Sequence, residues 1–505
     1  MKCRSAVLII CLTSVPAWAA DRAASLITTG ELRTHVETLA ADSLEGREAG
    51  RRGGHAAAAY LLSELKRLDV RPAGEAGSFV QEFGPGYRNI LVLIPGSDEA
   101  LKEQVVVVGA HYDHVGYGAK GNSFGPLGQI HNGADDNASG TAALLELVES
   151  FAALKSKPKR TLLFAFWDAE EKGLLGSEHW LSHPTVTSAS VVFTFNFDML
   201  GRMRNRKVEV YGVRTAIGLR RLVSEQNFET DLTLQFDWNQ REDSDHWSFF
   251  QRGIPYLMLH SGLHDEYHRP SDDANLINFD GLHAVTTLSR ATIVAVANAP
   301  SWSFRPESRE ETGATAKRLA APLTRPPARF GVRWDATQGE RGVFVLTDVV
   351  PNSPAAVAGL HAGDRIARFE DRLPADTAAL RKAVLAAEQE ATVTIERNDR
   401  QVDVPVRLAG SPVRVGLSWR IDAAEPGVLI VRRIVAGSAA GEAGLNVGDR
   451  LYEVDGKPFT DEAAFRDAFR DAGESPELSI ERNGRSWKAA LQLPQRRRPV
   501  PETAE

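Results

Sequence analysis

The sequence predicts an α/β domain, a linker, and two copies of one small β-rich domain. Two patterns carry this. As far as about residue 300, apolar runs that fit strands buried on both faces alternate with helical patterns. Beyond residue 327, short motifs recur at a constant offset, Gly331 and Trp334 reappearing as Gly416 and Trp419.

The first 19 residues read as a secretory signal. Lys2 and Arg4 give a positive start, and Ala6 to Val15 is apolar but far shorter than the roughly 20 residues that span a bilayer. Ala17-Trp18-Ala19 then fits a small-x-small cleavage site. Leu8-Ile9-Ile10 before Cys11 lacks the small residues of a lipoprotein site. Cleavage leaves about 486 residues, room for two to four domains. Hydrophobic residues are 43% and charged residues 25% of the chain, an ordinary globular composition that excludes global disorder. Cys3 and Cys11 are the only cysteines and both lie in the leader, so a metal in the mature chain must be held by His and carboxylates. The formal charge of −7 becomes −9 without Lys2 and Arg4, which argues against nucleic acid as a partner. No later apolar run approaches spanning length. The expectation is an exported protein, periplasmic or extracellular, without stable membrane insertion.

Within residues 20–300 the elements follow in order. Val105 to Val108 reads as a buried strand that delivers His111-Tyr112-Asp113-His114. Gly133-Ala134-Asp135-Asp136-Asn137-Ala138-Ser139-Gly140 leads into a helical pattern over Ala138 to Leu154. The run Thr161 to Trp167 ends in Asp168-Ala169-Glu170-Glu171, and Val191 to Phe197 ends at Asp198. Leu282 to Ala297 is a further helical pattern. Ligands of open α/β sheets bind outside the carboxyl ends of the strands, so three strands aiming acids and a histidine at that edge imply one shared site. Unpaired buried carboxylates are costly, and a cation is needed to neutralise them.

Pro300, Pro306, Pro322, Pro326 and Pro327 share a stretch poor in large apolar residues, read as an extended linker over 301–327. The repeats occupy 328–411 and 412–495, with an Arg- and Pro-rich tail at 496–505. Ala358-Gly359-Leu360 with Gly363-Asp364-Arg365 returns as Ala443-Gly444-Leu445 with Gly448-Asp449-Arg450, and Ile395 to Asn398 returns as Ile480 to Asn483.

On these motifs residues 25–300 resemble the zinc aminopeptidases with co-catalytic metals, relatives of glutaminyl cyclases and glutamate carboxypeptidases. The matching segments are HYDHVG at 111–116, GADDNASG at 133–140, AEEKGLLGS at 169–177, NFDMLGR at 196–202 and YHRPSDD at 267–273. Only a short stretch separates Asn89 from His111, so the protease-associated domain that some members insert has no counterpart. The resemblance implies a mixed central sheet flanked by helices. It implies that His111 and Asp198 bind one zinc, that Glu171 and His268 bind a second, and that Asp136 bridges them, with Asp135 the competing bridge. Glu170 would be the general base, and Asp113 would accept the other ring N–H of His111 and fix its tautomer. Manganese or cobalt would suit the same donors. A carboxylate bridge sets two metals about 3.5–4 Å apart, and water between them loses a proton readily. His131, His179 and His183 match no ligand motif and are expected at the surface or in packing. His246 either lies near a substrate pocket or sits in a helix start capped by Ser244 or Asp245. His268 is preferred to His260 and His264.

Each repeat resembles a PDZ domain of the bacterial periplasmic-protease type. Such domains take a peptide as an added strand and hold its terminal carboxylate near a glycine turn, here at Phe330-Gly331 and Val415-Gly416. The function expected is a metal-dependent exopeptidase, foremost an aminopeptidase acting on peptides, with possible capture of peptide C-termini by the repeats. The alternatives are a glutaminyl cyclase, a carboxypeptidase using Arg202, Arg204, Arg206 or Arg241 for the substrate carboxylate, and a non-enzymatic PDZ binding protein. The repeats could also be purely structural.

Overall fold

The computed structural model describes residues 27–186, 190–321, 323–324 and 326–493. The leader expected at 1–19 and the tail at 496–505 lie outside the described residues. The chain divides into two units: the first runs to Gly313 and also takes in Asn483–Arg485, and the second is Ala314–Arg482 with the residues from Ser486.

The strands of the first unit are β1 (Arg71–Pro72), β2 (Val80–Phe83), β3 (Tyr87–Ile94), β4 (Gln104–His111), β5 (Thr161–Trp167), β6 (Ser190–Phe197), β7 (Lys207–Tyr211), β8 (Thr233–Phe236) and β9 (Tyr256–His260). They form one mixed sheet in the order β1-β3-β5-β4-β6-β9-β7-β8, with β2 paired to β3. The centre is parallel: β4 with β5, β4 with β6, β6 with β9. On either side of this centre, β3 joins β5 and β7 joins β9 antiparallel. Parallel pairing puts the carboxyl ends of four strands on one edge, where the acids and histidines sit.

The valine run of β4 shows why the centre reads as uninterrupted apolar sequence. Val106 and Val108 face one core together with helices α1 (Thr29–Leu39), α2 (Arg52–Arg67), α3 (Gly140–Ala152) and, beyond α4 (Leu175–Ser182) and α5 (His246–Gln251), α6 (Phe279–Asn298). Val105 and Val107 face the other way, onto Trp167, Trp180 and Phe249. Side chains alternate along a strand, so helices on both faces require apolar residues at every position. Thr28 caps α1 by accepting from Glu31 N at 3.0 Å, and Asn278 caps α6 by accepting from Gly281 N at 2.9 Å.

The stretch expected as an extended linker from 301 is instead anchored to the first unit as far as Gly313. Trp302 donates from Nε1 to Val296 O at 3.0 Å and packs on Phe193, and Phe304 packs on Phe250. Glu311 receives the guanidinium groups of both Arg214 and Arg305. Three anchoring side chains are enough to fix a segment whose composition otherwise resembles a linker. Helix α7 (Gly313–Ala320) follows.

In the second unit the first repeat forms a sheet β10 (Val332–Trp334), β11 (Phe344–Val349), β12 (Arg365–Phe369), β13 (Glu390–Arg397) and β14 (Arg400–Arg407), with helix α8 (Thr377–Ala386) packed on it. The second forms β15 (Leu417–Asp422), β16 (Glu425–Ile434), β17 (Arg450–Val454), β19 (Glu477–Arg482) and β20 (Arg485–Ala490), with β18 (Lys457–Pro458) on β17 and helix α9 (Glu462–Asp471). The internal repeat extends to single contacts. Arg397 grips Asp364 through two N–H groups at 2.7 Å, and Arg482 grips Asp449 at 2.7 and 2.8 Å. Gly331 and Gly416 have φ of 88° and 82°, and a side chain on either would run into Ser353 or Ser438. No described helix is long and apolar enough to cross a membrane.

Candidate metal centre

His111 is the last residue of β4, Glu170 and Glu171 follow β5, Asp198 follows β6, and Asp136 precedes α3. His268 arrives on the loop after β9. These six side chains line one cavity of about 60 Å³. Two groups of donors converge there, His111 with Asp136 and Asp198, and His114 with Asp136, Glu171 and His268.

Asp136 belongs to both groups, and its two oxygens face opposite ways. Oδ1 lies 3.5 Å from His111 Nε2, which is 3.4 Å from Asp198 Oδ1. Oδ2 lies 3.0 Å from His268 Nε2, which is 3.3 Å from Glu171 Oε1. Two donors each about 2.0–2.1 Å from a tetrahedral zinc stand about 3.3 Å apart. The spacing therefore fits a cation between the donors. Asp198 Oδ1 is buried without a hydrogen-bond partner, as a carboxylate oxygen reserved for an ion would be. His, carboxylate and no thiolate is a donor set for zinc with open positions.

Asp135, the competing bridge, points elsewhere. Its Oδ1 accepts from Gly201 N and Ser139 Oγ, and its Oδ2 faces His264 Nε2 at 3.2 Å. Asp272 Oδ2 accepts from the backbone N–H of both Asp135 and Asp136, at 2.9 and 3.1 Å. The turn is thereby fixed with Asp136 facing the cavity. Gly133 opens it at φ 56°, and a Cβ there would strike Asp136 O and the His114 ring. Left-handed backbone recurs beside the donors, at Ala169, Met199 and His268, with φ of 57°, 55° and 51°. Such conformations in non-glycine residues persist where surrounding packing enforces them, commonly at functional sites.

Asp113 differs from expectation. His111 Nδ1 meets the Asp113 backbone carbonyl at 3.2 Å, while the nearer carboxylate oxygen is 3.7 Å away. The carboxylate accepts instead from the N–H groups of Glu170 and Glu171, at 3.0 and 3.4 Å. It positions the turn that carries the acids. His114, given no role from sequence, lies with its Nδ1 2.8 Å from Glu171 Oε1. Its place in the run delivered by β4 was the available signal. Burial drops its pKa to about 3, so the ring is neutral. Tyr267, also unassigned, lines the cavity and stacks on His268 with ring centres 4.0 Å apart. Burial raises its phenol, so it stays protonated.

The remaining histidines separate from the cluster. His131 bonds Ser123 and Gln129 O, and His179 stacks between Phe83 and His183. His246 is buried, with Nε2 3.0 Å from Arg241 O. Neither Ser244 nor Asp245 caps that helix: Ser244 Oγ accepts from Asn196 and Asp245 accepts from Ser177. Both side chains are drawn inward by buried partners. His260 lines the cavity wall.

The electrostatics are those of a negative cleft. Desolvation pushes Glu170 well above the carboxylate range; His111 pulls it down, while Glu171, Asp245 and Asp198 push it further up. Burial would lower His268, but the carboxylates of Asp136 and Glu171 raise it to about 11. A second cavity of about 200 Å³ adjoins the first and shares Asp243, Met258, His260 and Leu263 with it; Glu209, Tyr211 and Arg241 complete its wall.

A mixed sheet with a parallel centre, helices on both faces and a His/carboxylate cluster at the strand ends matches the zinc exopeptidase fold. Residues 89–293 match the model of peptidase family M28, and residues 328–408 and 430–482 match PDZ domain models. The chain therefore carries an M28 peptidase domain followed by two PDZ domains. It is similar to leucine aminopeptidase 1 of Grosmannia clavigera, with 34% identity over 35% of this chain and 42% of that protein. It is also similar to leupeptin-inactivating enzyme 1 of Streptomyces exfoliatus, with 29% identity over 45% of this chain and 48% of that protein. This chain thus spans less than half the length of either relative. Among solved structures, the LapA aminopeptidase of Legionella pneumophila aligns over 59% of this chain and 80% of its own, at 20% identity and a TM-score of 0.48.

Proposed function

We propose that this protein is an exported aminopeptidase, periplasmic or extracellular, with two zinc ions held by His111, Asp198, Glu171, His268 and a bridging Asp136. The observation that carries the reading is Asp136 itself, one oxygen turned to each half of the donor set. When bound, the metals supply a Lewis acid for the peptide carbonyl and lower the pKa of water. The chain does the rest. Glu170 opens on the same cavity without belonging to either donor group, and so is free to take a proton from the attacking water and deliver it to the leaving amine. Asp113 holds the Glu170 and Glu171 N–H groups and so fixes the angle of both side chains. The protonated Tyr267 phenol can donate to charge developing on the carbonyl oxygen.

A free N-terminal amine suits a cleft whose wall includes the carboxylates of Glu170 and Asp243. The carboxypeptidase reading is supported by one residue only. Arg241 lines the adjoining cavity while donating to Asp237 Oδ2 at 2.9 Å; Arg202 is paired with Glu266, Arg204 with the Gly262 and Leu263 carbonyls, and Arg206 with Thr230 O, and none of these three lines it. The PDZ domains would recruit peptide or protein substrates. The test is metal analysis with a panel of free-amine, N-blocked and N-terminal Gln peptides. Two metals per chain and cleavage confined to free-amine peptides are expected. Cyclisation of the Gln peptides, or cleavage of N-blocked peptides from the carboxyl end, would replace this reading with one of its alternatives.

A further inference from the structure

The groove of the second PDZ domain is unequally charged. It has a volume of about 490 Å³, and its lining includes Arg414, Arg433, Arg466 and Arg470 but no carboxylate. Val415, Leu417, Phe465 and Phe469 make it apolar between β15 and α9. The arginines are placed rather than splayed. Arg433 donates to Ser418 Oγ at 2.8 Å and to Thr324 O at 3.1 Å, and Arg466 lies over the Trp419 ring at 5.0 Å. Arg466 and Arg470 also pair with Glu462 and Asp467 at 2.6 and 2.5 Å, four and three residues away on the same exposed helix. Exposed pairs of this kind are weak and yield to a better partner.

The first domain is an internal control, since it shares the fold and differs in these residues. Arg414, Arg433, Arg466 and Arg470 correspond to Arg329, Asp348, Arg381 and Leu385. Arg329 is spent on the carbonyls of Val384, Ala409, Gly410 and Ser411. Ser418 corresponds to Arg333, which stands 3.6 Å from Asp348. The position of Arg433 is thus an acid in the first domain, and that of Arg470 is apolar.

We propose that the groove of the second PDZ domain selects peptides with acidic residues just before an apolar C-terminus, a selectivity the first domain lacks. The inference rests on the recruitment reading above and adds the charge class of the recruited peptide. An added strand would lie along β15 with its C-terminus at Val415-Gly416 and its preceding side chains beside Arg433, Arg466 and Arg470.

The experiment uses the full chain and N-acetylated, fluorescently labelled peptides, which an aminopeptidase cannot shorten. The peptides share an apolar C-terminal residue preceded by three acidic, three neutral or three basic residues. The acidic peptide should bind roughly tenfold or more tighter than the basic one at low salt, with the gap closing in high salt. Arg466→Glu with Arg470→Glu should invert the preference, and Arg466→Lys with Arg470→Lys should keep it, which separates charge from folding. Equal binding of acidic and basic peptides would overturn the selectivity and leave recruitment standing. An acidic preference that survives the glutamate variant would also overturn it. Binding of no peptide at all would sink the recruitment reading and this inference together.

Discussion

Replacing Glu311 by Gln should destabilise the peptidase domain although the residue lies outside the segment that matches the M28 family. The carboxylate accepts from Arg214 Nε at 2.8 Å and Nη2 at 2.7 Å, and from both terminal nitrogens of Arg305 at 2.7 and 2.5 Å. The side chains of Arg214, Arg305 and Glu311 are only 4%, 10% and 12% exposed. Glutamine keeps the shape but turns an NH₂ toward one guanidinium and leaves two cations facing each other. Breaking a buried pair costs about 3–5 kcal/mol. The Trp238 ring under Arg214 and the solvent at the rim recover part of that, so the expected loss is about 2–4 kcal/mol. For a domain of this size that lowers Tm by roughly 4–12 °C. The pH dependence has a definite sign. Burial would raise the Glu311 carboxyl, but the two guanidinium groups hold it down at about 2. A depressed folded pKa contributes stability that is complete above the ordinary value of 4.5 and is lost as pH falls through about 2. Thermal unfolding of the full chain and the variant should therefore differ by a constant amount from pH 6 to 8 and draw together as pH falls from about 4.5 toward 2. A Tm shift under about 1 °C at pH 7, or one indifferent to acid, would refute the reasoning. A chain cut at Pro300, which also removes Trp302 and Phe304, should fare worse than the point variant, and one cut after Gly313 should fold.

Three further outcomes follow from the site. Glu170→Gln should keep its metal and lose roughly 10²–10⁴-fold in kcat, and near-normal turnover would remove Glu170 from the role of base. Asp136→Ala should lose both metals, whereas Asp198→Ala and His268→Ala should each weaken one; equal stoichiometry in all three by elemental analysis would contradict a bridge. Arg47→Met should lower both Tm and metal affinity, although Arg47 touches no proposed ligand; unchanged affinity in a folded variant would show that the loops hold their own geometry.

Much of this was legible in the sequence because buried parallel strands leave an uninterrupted apolar signature, and whatever follows such a run lies at one sheet edge. Val105 to Val108, Thr161 to Trp167 and Val191 to Phe197 could thus be placed before their side chains were seen, and the five proposed donors do lie together. What escaped depends on long-range partners that no local pattern encodes. Asp113 could be assigned to the nearest histidine only until the backbone of Glu170 and Glu171 was seen to claim it. His114 sits in the right motif, but only the arrival of Glu171 gives it a task. Ser244 and Asp245 have the composition of a helix cap, yet Asn196 and Ser177 hold them. Glu311 looks like one acid in a polar linker until Arg214, about a hundred residues earlier, is beside it.

Arg47 completes the account of why this edge needs a cation. It is fully buried and donates only to carbonyls: those of Tyr112, Leu39, Asn132 and Gly133, at 2.6–2.9 Å. Its four bonds tie the loop carrying His111 to the loop carrying Asp136. Burial lowers its pKa to about 10, which still leaves it charged at neutral pH among Asp136, Asp113, Asp272 and Glu171. A side chain satisfied by neutral carbonyls acts on those acids as a fixed field rather than as a partner. One such charge, with Arg202 3.8 Å from Asp272, is far too little for the buried Asp113, Asp135, Asp136, Asp198 and Asp272 together with Glu170 and Glu171. Without metal, the acids must be answered by taking up protons, as the pKa of about 11 at His268 and the raised pKa of Glu170 indicate. Binding two divalent cations would release those protons and relieve the repulsion at once. Chelation should therefore do more than abolish activity. It should lower the Tm of the peptidase domain while leaving the unfolding of the PDZ domains where it was, and a chelated chain that melts unchanged would mean that Arg47 and protons alone suffice to hold this edge together.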